Sequence, residues 1–436
     1  MALAIVVVSL ALIPVGSDPA EARRDPPPPG GPLPGLTAEQ LALFEAGREV
    51  FLHEFTAEEG LGPIYNERAC QTCHGGLDGL AGGPDATGVG SIFNVTHFGL
   101  DQFGLYNALR PLGGPVIQHR AIRDTTHPDC PIAGETLPPF ATVVSIRHTP
   151  AVWGFGLVDA IPDRNILRNQ SLNRDGIHGF ANWGREMQGR AMAGTITDPQ
   201  FAIYGSARVG RFGWKAQTGT LEQFSADPFN IELGVTNQFF PQEFTPTGLR
   251  LGPDLPPECQ VANHPVNDFD QTQSFALYHF QALLAPPEPL RATWESRRGE
   301  AQFHRIGCDN CHVPRTRTNR EYWMDVDGER AIRVQALENQ WVNAYSDFLV
   351  HDMGDALADN GGTTVGRVMG RANGRQWRTT PLWGLRFKSA LLHDGRTADV
   401  REAILAHGGE AQNTRDRFAA LSASEQAWVV AFLQRL

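Results

Sequence analysis

The sequence predicts a mainly α-helical protein of two domains, the first of which carries large irregular loop insertions. Three observations support this fold class. Capped helical patterns occur near both ends of the chain, a proline cluster at residues 285–289 interrupts it, and one short unit occurs twice. That unit is a helix followed by a glycine-containing turn and a cysteine pair, near residues 47–74 and 299–312. The repetition predicts two similar helical domains.

The predicted helices are placed by their start signals. Thr37 and Gln40 form a capping box, and apolar residues at helical spacing predict a helix over residues 38–55. Near the C-terminus, Thr397 is expected to cap another helix. Ser422, with a glutamate three positions later, predicts a capping box for the last helix.

Composition sets the predicted domain boundaries. The proline cluster separates an N-terminal domain of residues 36–284 from a C-terminal domain of residues 286–436. Residues 23–35 are mostly proline and glycine and predict a stiff linker. The chain has 46 Gly and 31 Pro, and glycines and prolines punctuate residues 75–260, so the large insertions are expected there.

The first residues predict export. Residues 2–15 form an almost uninterrupted apolar run, and Ala20-Glu21-Ala22 has the small-x-small pattern that a signal peptidase needs. We therefore expect residues 1–22 to be a signal peptide and the mature chain to lie in the periplasm. No Lys or Arg precedes the run, so retention as a short anchor stays open. No other apolar run reaches about 18 residues, so no stable membrane span is expected in the mature chain.

The charge balance excludes one class of partner. Lys and Arg together number 37 and Asp and Glu 48, which gives a net charge of −11. A surface that follows a phosphate backbone needs the opposite balance. Nucleic acid is therefore not expected as a partner.

Four of the six cysteines indicate the chemistry. They lie in two CxxCH motifs, Cys70-Gln-Thr-Cys73-His74 and Cys308-Asp-Asn-Cys311-His312. This is the attachment pattern of c-type haem, in which both thiols bind the haem covalently and the histidine becomes a ligand of the iron. A zinc site would need the two pairs to converge, and a thioredoxin-like dithiol needs no histidine. The sequence therefore predicts two cytochrome c-like haem domains with two haem c cofactors.

Cys130 and Cys259 are the remaining cysteines. In an oxidising compartment such a leftover pair most simply forms a disulfide, which here would close a long loop within the first domain. A redox-active thiol pair is the alternative.

The chain resembles a known family, the bacterial dihaem oxidoreductases often labelled thiol oxidoreductases, which are distantly related to dihaem cytochrome c peroxidases. The motifs that carry the resemblance include Gly60-Leu-Gly-Pro63, Gly154-Phe-Gly-Leu157, Arg211-Phe-Gly-Trp-Lys-Ala216, Glu232-Leu-Gly234, His351-Asp-Met-Gly354, Leu392-His-Asp-Gly395 and His407-Gly-Gly-Glu-Ala411. Thiol chemistry has no support here, because haem attachment consumes both CxxC pairs.

The resemblance implies a function. In the peroxidase relatives one haem takes electrons from a small redox protein or other donor and passes them to the second haem, where peroxide, a small oxidant, is reduced. The C-terminal haem is expected to be the relay. A pure electron carrier without substrate turnover is the alternative, and a haem-containing partner of an iron-uptake system also stays open. The peroxidases hold a calcium ion between their domains, but this sequence has no loop signature for one.

The distal ligand of the C-terminal haem decides whether that iron is open to substrate. His407 is the first candidate, because it continues the helical stripe of Val400 and Ala403. It also stands 14 positions after the histidine of the His-Asp-Gly turn, as the distal methionine of the relatives follows theirs, and Gly408-Gly409 is expected to let a cofactor approach. A helix cap or a propionate contact is the alternative role. The further candidates are His351, Met353 and His393.

Other candidates have weaker signals. For the N-terminal haem an open iron is one expectation, and His97, His119 and His148 are alternative ligands. Trp214 is a candidate electron relay between the haems, with a core tryptophan as its alternative. Cationic side chains are expected to pair with the haem propionates, with solvated arginine as the alternative. These candidates are Arg378 first, then Arg211, Lys215 and Arg386.

Overall fold

A computed structural model describes residues 29–74, 96–100, 106–107, 116–137, 143–170, 175–183, 208–237, 240, 243–244, 250–251, 255–260, 271–359 and 369–436. The predicted signal peptide and the first residues of the linker lie outside this range, as do parts of the predicted insertions.

Ten α-helices form the framework of the described residues. They are α1 (Ala38–Leu52), α2 (Cys70–His74), α3 (Phe155–Asp159), α4 (Asp163–Gln170), α5 (Leu221–Ile231), α6 (Gln271–Leu283), α7 (Trp294–Ile306), α8 (Val400–Leu405), α9 (Gln412–Ala419) and α10 (Ala423–Arg435). The predicted helical character is confirmed.

The strands are short, and the sequence did not predict them. Those in the described residues are β1 (Ile64–Tyr65), β2 (Thr96–Leu100), β3 (Tyr106–Asn107), β4 (Arg120–Ala121), β5 (Val143–Ser145), β6 (Glu243–Phe244), β7 (Arg250–Leu251), β8 (Thr316–Arg317), β9 (Trp323–Asp325), β10 (Ala331–Arg333), β11 (Trp341–Val342), β12 (Val350–Asp352) and β13 (Gln376–Arg378). β2 pairs with β3 and β5, and the others form antiparallel pairs β1–β4, β6–β7, β8–β11, β9–β10 and β12–β13. All of these strands except the five-residue β2 have only two or three residues, which give too little periodicity to be recognised from the sequence.

Two helix pairs carry the cores, and each crosses at a glycine. α1 packs against α6, and α7 packs against α10. A Cβ on Gly47 would lie 1.9 Å from the carbonyl oxygen of Ala276, and one on Gly299 would lie 1.8 Å from that of Trp428. Only glycine allows backbones to approach this closely. The same contact therefore occurs twice, each time on the helix that precedes a CxxCH motif.

An aromatic pair accompanies each crossing. The ring centroids of Phe51 and Phe280 are 5.1 Å apart, and those of Phe303 and Phe432 are 5.3 Å apart. Phe51 also contacts the His74 ring at 5.7 Å, as Phe303 contacts that of His312 at 6.3 Å. Each phenylalanine follows its crossing glycine by four residues, so it lies on the same helix face. The crossings thus position the two motif histidines.

A second recurring contact joins the two parts of the chain. Trp153 and Gly154 recur as Trp383 and Gly384, and each tryptophan packs on the other glycine. Added Cβ atoms would lie 2.7 and 2.6 Å from the opposite indoles, and both glycines have positive φ, 70° and 68°. Their N–H groups donate to the carbonyls of the residues directly after α6 and α10. Sequence analysis missed this recurrence, although Thr-Pro precedes Trp-Gly in both copies.

Most predicted helix starts are confirmed, and one is wrong. Thr37 and Ser422 head the capping boxes that the sequence predicts. The cap of α8 is Asp399 and not Thr397, because the Asp399 carboxylate accepts from the N–H of Glu402 at 2.9 Å. Thr397 supports the cap instead, since its hydroxyl accepts from the Asp399 N–H at 3.0 Å.

The last residues of the predicted linker pack against the protein. Leu33 is buried, and its N–H donates to the Leu283 carbonyl at 2.7 Å. The N–H of Ala285 donates to the Gly31 carbonyl at 3.0 Å. This segment therefore joins the end of α6 before α1 begins.

The predicted disulfide is confirmed. Cys130 and Cys259 are bonded and buried, and they are separated by 129 residues. A cross-link over a loop of this size restricts the unfolded chain and stabilises the fold by about 4–5 kcal/mol.

The glycine crossing predicts a stability effect. We expect Gly299→Ala to lower the free energy of unfolding by about 2–3 kcal/mol, because the new methyl group meets a backbone carbonyl that cannot move aside. Gly31→Ala is the control, since an added Cβ there has no atom within 4 Å. Denaturant unfolding of the holoprotein measures both, and equal stability of the two variants would contradict the crossing.

Candidate functional site

The second CxxCH motif begins at the end of α7. Gly307 ends the helix in the left-handed region with φ 90°, and a 3₁₀ turn over Cys308–Asn310 follows. The His312 ring hydrogen-bonds through Nδ1 to the Tyr345 carbonyl at 2.9 Å. Burial lowers the pKa of His312 to about 4, so the ring is neutral. A neutral imidazole whose Nδ1–H is held by a carbonyl presents Nε2 as a metal ligand.

His407 has the same arrangement. Its ring hydrogen-bonds through Nδ1 to the Ala403 carbonyl at 2.8 Å, and burial lowers its pKa. His407 and His312 line one cavity, together with both cysteines of the motif and apolar side chains of α7, α8 and α10. Neither Nε2 has a hydrogen bond within the described part of the chain. Two imidazoles in one apolar cavity can hold one haem iron between them.

Two cations in the same cavity complete the fit. Arg378 and Lys388 line it, and neither has an ion pair among the described residues. Burial lowers the pKa of Arg378 to about 10, and burial with repulsion from Arg378 lowers the pKa of Lys388 to about 8. Burying a cation costs free energy unless an anion pairs with it. The two propionates of a haem supply two, so these residues fit the group.

The structure shows a packing role for Gly408-Gly409 that the sequence did not predict. A Cβ on Gly409 would lie 2.2 Å from the carbonyl oxygen of Asp352, and one on Gly408 would lie 3.1 Å from that of Met353. The glycines therefore let the β12 segment approach the chain after His407. Their predicted role in the approach of a cofactor stays a prediction.

The other ligand candidates, His351, Met353 and His393, line the same cavity but have different partners. Both ring nitrogens of His351 hydrogen-bond carboxylates, Nε2 to Asp347 and Nδ1 to Glu410, each at 2.9 Å. Burial opposes the charged form, but the Asp347 and Glu410 carboxylates raise the pKa of His351 well above its usual range. A ring with both nitrogens protonated has no lone pair for iron. Met353 lines the cavity, so its thioether stays a candidate.

His393 lines the same cavity, and its ring belongs to a buried stack. Its ring stacks on Trp377 with centroids 3.7 Å apart, and Lys215 Nζ lies 3.6 Å from the centroid of the Trp377 ring. Asp359 binds Arg147 at 2.6 Å and Lys215 at 3.5 Å. Although burial opposes it, these cations lower the pKa of Asp359 to about 2. The Lys215 charge is therefore matched inside the protein.

The remaining propionate candidates also bind protein groups. Arg211 is fully buried and paired with Asp163. Arg386 donates to the carbonyls of Glu288 and Arg435. Arg378 donates from Nε to the Gly213 carbonyl at 2.8 Å, yet it lines the cavity without a carboxylate partner. The geometry favours Arg378 for a propionate.

Trp214 lines the same cavity. Its Nε1–H donates to the His148 carbonyl at 3.1 Å, and the two rings meet edge to face at 5.0 Å. The indole is half-buried, unlike Trp153, which is fully buried. Trp214 thus lies at the wall of the candidate haem cavity. Its role as an electron relay stays a prediction.

The first CxxCH motif forms α2 beside the end of α1. Gln71 Nε2 donates to the Leu52 carbonyl at 2.6 Å and holds α2 there. Burial lowers the pKa of His74 to about 4, and its Nδ1 is buried without a hydrogen bond of ordinary geometry. Residues 75–95 lie outside the described residues. The distal side of this motif is therefore not placed.

The N-terminal ligand candidates are placed in part. His119 contacts the Asn66 side-chain oxygen through Nδ1 at 2.8 Å, and Asn66 donates to Glu232 at 2.7 Å. The ring of His148 hydrogen-bonds the Thr149 carbonyl and lines the C-terminal cavity. His97 lies in β2, but its side chain is not among those described. None of the three is placed against His74.

Residues 141–436, more than half of the chain, match the family described as "Di-haem oxidoreductase, putative peroxidase". The chain belongs to this di-haem oxidoreductase family. The resemblance inferred from the sequence motifs is thereby confirmed, and membership implies haem cofactors. No curated protein sequence matches the chain.

Three solved structures are similar over most of this di-haem family member. A xenon-pressurised hydrazine synthase of Kuenenia stuttgartiensis shares 12% identity and covers 99% of each chain, with a TM-score of 0.36. A MauG-like protein associated with microbial copper homeostasis shares 15% identity over 94% of this chain and 92% of its own, with a TM-score of 0.38. A variant of the dihaem peroxidase BthA from Burkholderia thailandensis shares 13% identity over 91% and 85%, with a TM-score of 0.34.

The helices were also compared with the requirements of a membrane span. Within the residues that the structure describes, no helix is both long and apolar enough to cross a bilayer.

The motifs predict covalent attachment of both haems. A pyridine haemochrome assay should find two c-type haems per chain, and replacing Cys70 and Cys73 with Ala should leave one, because each motif attaches its own group. The control replaces Cys130 and Cys259 with Ala and should keep both. Two covalent haems in the Cys70 and Cys73 variant would exclude this assignment.

The Asp359 cluster predicts a pH-dependent stability. Asp359→Asn should lower the free energy of unfolding by about 3–5 kcal/mol, because two buried cations lose their carboxylate. The pKa of Asp359 is lowered to about 2, so its contribution is complete above pH 4 and is lost as the pH falls towards 2.

The matched control for this effect is Asp355→Asn. Asp355 binds Arg375 at 2.7 Å on the surface, so its loss should cost less than about 1 kcal/mol. Denaturant unfolding between pH 2 and 7 measures both variants. Equal losses would show that burial of the Asp359 pair has no special effect.

Proposed function

We propose that this protein is a periplasmic c-type dihaem oxidoreductase. In this proposal His312 and His407 would both hold the iron of the C-terminal haem, which would supply electron relay. His74 would hold the iron of the N-terminal haem, which would supply reduction of a small oxidant such as peroxide. The proposal rests on one observation above all: His312 and His407 line one cavity with both cysteines of the second motif, and each has its Nδ1 bound to a backbone carbonyl. His148 shares the carbonyl contact, and its ring packs against Trp214.

The backbone prepares both imidazoles for a metal. The Tyr345 and Ala403 carbonyls hold Nδ1–H in place, which orients each ring and makes Nε2 a stronger donor. Tyr345 has positive φ, 51°, so its backbone adopts an unusual conformation where it offers this carbonyl. Both histidines are half-buried against the cavity, and both have a lowered pKa that keeps them neutral. They are therefore ready to bind without losing a proton.

The cavity supplies the matching charge. Arg378 and Lys388 lie in its wall and would bind the propionates through charge-assisted hydrogen bonds. The apolar side chains around them exclude water, which strengthens these interactions. The protein thus provides two ligands, two cations and two thiols for a single group.

The number of protein ligands on each haem determines which chemistry that haem can supply. A haem with two protein ligands supplies electron transfer, whereas one with an open position also supplies reduction of peroxide. Because His312 and His407 together close the C-terminal site, substrate chemistry is assigned to the His74 site. The pure electron carrier remains the alternative, and it requires a second protein ligand there.

The disulfide supports the predicted compartment. Cys130 and Cys259 are bonded, as expected for a protein of an oxidising compartment. The apolar run at residues 2–15 supports export to the same place.

His407→Ala tests the ligand assignment. We expect one low-spin ferric haem to become high-spin or water-ligated, because one imidazole is lost while both covalent attachments remain. His351→Gln is the control and should keep the low-spin signal, since both nitrogens of His351 bind carboxylates. Electron paramagnetic resonance measures both variants. An unchanged low-spin signal in His407→Ala would assign the ligand elsewhere, with Met353 tested next.

Peroxide turnover then tests the enzymatic part. The wild-type protein should reduce H₂O₂ with two electrons from a reduced donor and two protons, giving two waters, and should show one high-spin haem. Two low-spin haems and no turnover would instead establish the pure electron carrier.

A further inference from the structure

An exposed tryptophan lies among arginines close to the second haem motif. Trp341 is 52% exposed in β11, and the guanidinium carbons of Arg315 and Arg317 lie 4.6 and 5.4 Å from its ring centroid. Both arginines are exposed, and neither has an ion pair among the described residues. A large exposed indole that holds two cations is the kind of group that anchors a protein interface.

The positive charge extends beyond this pair. Asn165 in α4 donates to the Arg317 carbonyl at 2.9 Å, which ties α4 to β8. The adjoining segments add two further exposed arginines, Arg164 and Arg320. We call these four arginines with Trp341 the Trp341 surface. Glu321 follows Arg320, but it is paired with Arg333 at 3.5 Å. This local excess of positive charge contrasts with the net charge of −11.

The Trp341 surface is connected directly to the haem motif. Arg315 is three residues after His312, and the N–H of Val313 donates to the Cys311 carbonyl at 2.9 Å. The N–H of Tyr345, whose carbonyl holds His312, donates to the Pro314 carbonyl at 3.3 Å. One short stretch of backbone therefore carries the motif on one side and the exposed arginines on the other.

A similar cluster elsewhere lacks this proximity. Trp294 is 55% exposed, and Arg298 lies 4.7 Å from its ring centroid. Trp294 begins α7, whereas Cys308 follows its opposite end, about 18 Å along the helix axis from Trp294. This cluster offers the same chemistry far from the motif, so it is a matched control.

We propose that the Trp341 surface docks a small acidic redox protein that donates electrons to the C-terminal haem. The inference rests on the proposed function and names the class of its partner. Arginine forks bind carboxylates, and opposite charge steers the encounter. Each encounter oxidises the partner by one electron and reduces the ferric iron by one, and no bond is made or broken.

The test uses the full holoprotein with an acidic flavodoxin as the probe. Calorimetry measures binding of oxidised flavodoxin, and stopped-flow absorbance measures haem reduction by its hydroquinone form. Arg315→Glu with Arg317→Glu should weaken binding and slow reduction by about tenfold or more at low salt. Added salt should slow the wild-type reaction and reduce the difference. Trp341→Ala should weaken binding without changing the salt dependence.

Two controls make the result specific. Arg297→Glu with Arg298→Glu makes the same charge change at Trp294 and should alter both measurements less than about twofold. Photoreduced lumiflavin, which is small and neutral, should reduce all variants at one rate, showing that their haems are intact.

Several outcomes would overturn the docking proposal. Equal effects of the two arginine pairs would show a general effect of net charge. Preference for a basic cytochrome c, or binding to phosphatidylglycerol vesicles that requires Arg315 and Arg317 when flavodoxin binding does not, would assign the surface to another occupant. If flavodoxin binding depends on the arginines but peroxide turnover is absent, docking stands and the proposed peroxidase function fails.

Discussion

The architecture depends on two helix crossings at which a glycine, having no side chain, lets the two helix backbones touch. Gly47 and Gly299 bring each helix against its partner's backbone, leaving no space for a methyl group. The short distance between the crossing helices places a phenylalanine pair beside each CxxCH motif, where Phe51 contacts His74 and Phe303 contacts His312. Because protein interiors are close-packed, a shift of either crossing would also shift the histidine and the wall around it.

Buried charge separates structural cations from those available to a cofactor. Arg211 and Lys215 have aspartate partners inside the protein, Asp163 and Asp359. Arg378 and Lys388 line the cavity without a partner in the described residues. Burying an unpaired cation costs free energy. We therefore expect unpaired buried cations where an anionic group can bind and offset that cost. This difference marks the polar wall of the candidate haem cavity.

The cavity histidines differ in a similar way, by whether their hydrogen-bond partners are carboxylates or backbone carbonyls. His351 is held between two carboxylates, and this keeps its ring charged. His312 and His407 are held by backbone carbonyls and stay neutral. In the proposed assignment His312 and His407 would close the inner side of the C-terminal motif, while its outer side continues into the Trp341 surface. Such a position would suit a group that passes electrons and does not bind substrate.

Local spacing determined what the sequence could show by itself. Both CxxCH motifs and the capping boxes could be predicted, because attachment and capping need residues only a few positions apart. The Cys130–Cys259 disulfide could be predicted because these are the only cysteines outside the motifs. Tertiary structure decided the rest. His351 and His407 are both ligand candidates in the sequence, but Glu410, which is 59 residues from His351, binds one nitrogen of the His351 ring. The contact of Gly408-Gly409 with β12 is likewise absent from any local pattern. Long-range packing brings these groups together, and a local sequence pattern does not predict which distant side chain will make the contact.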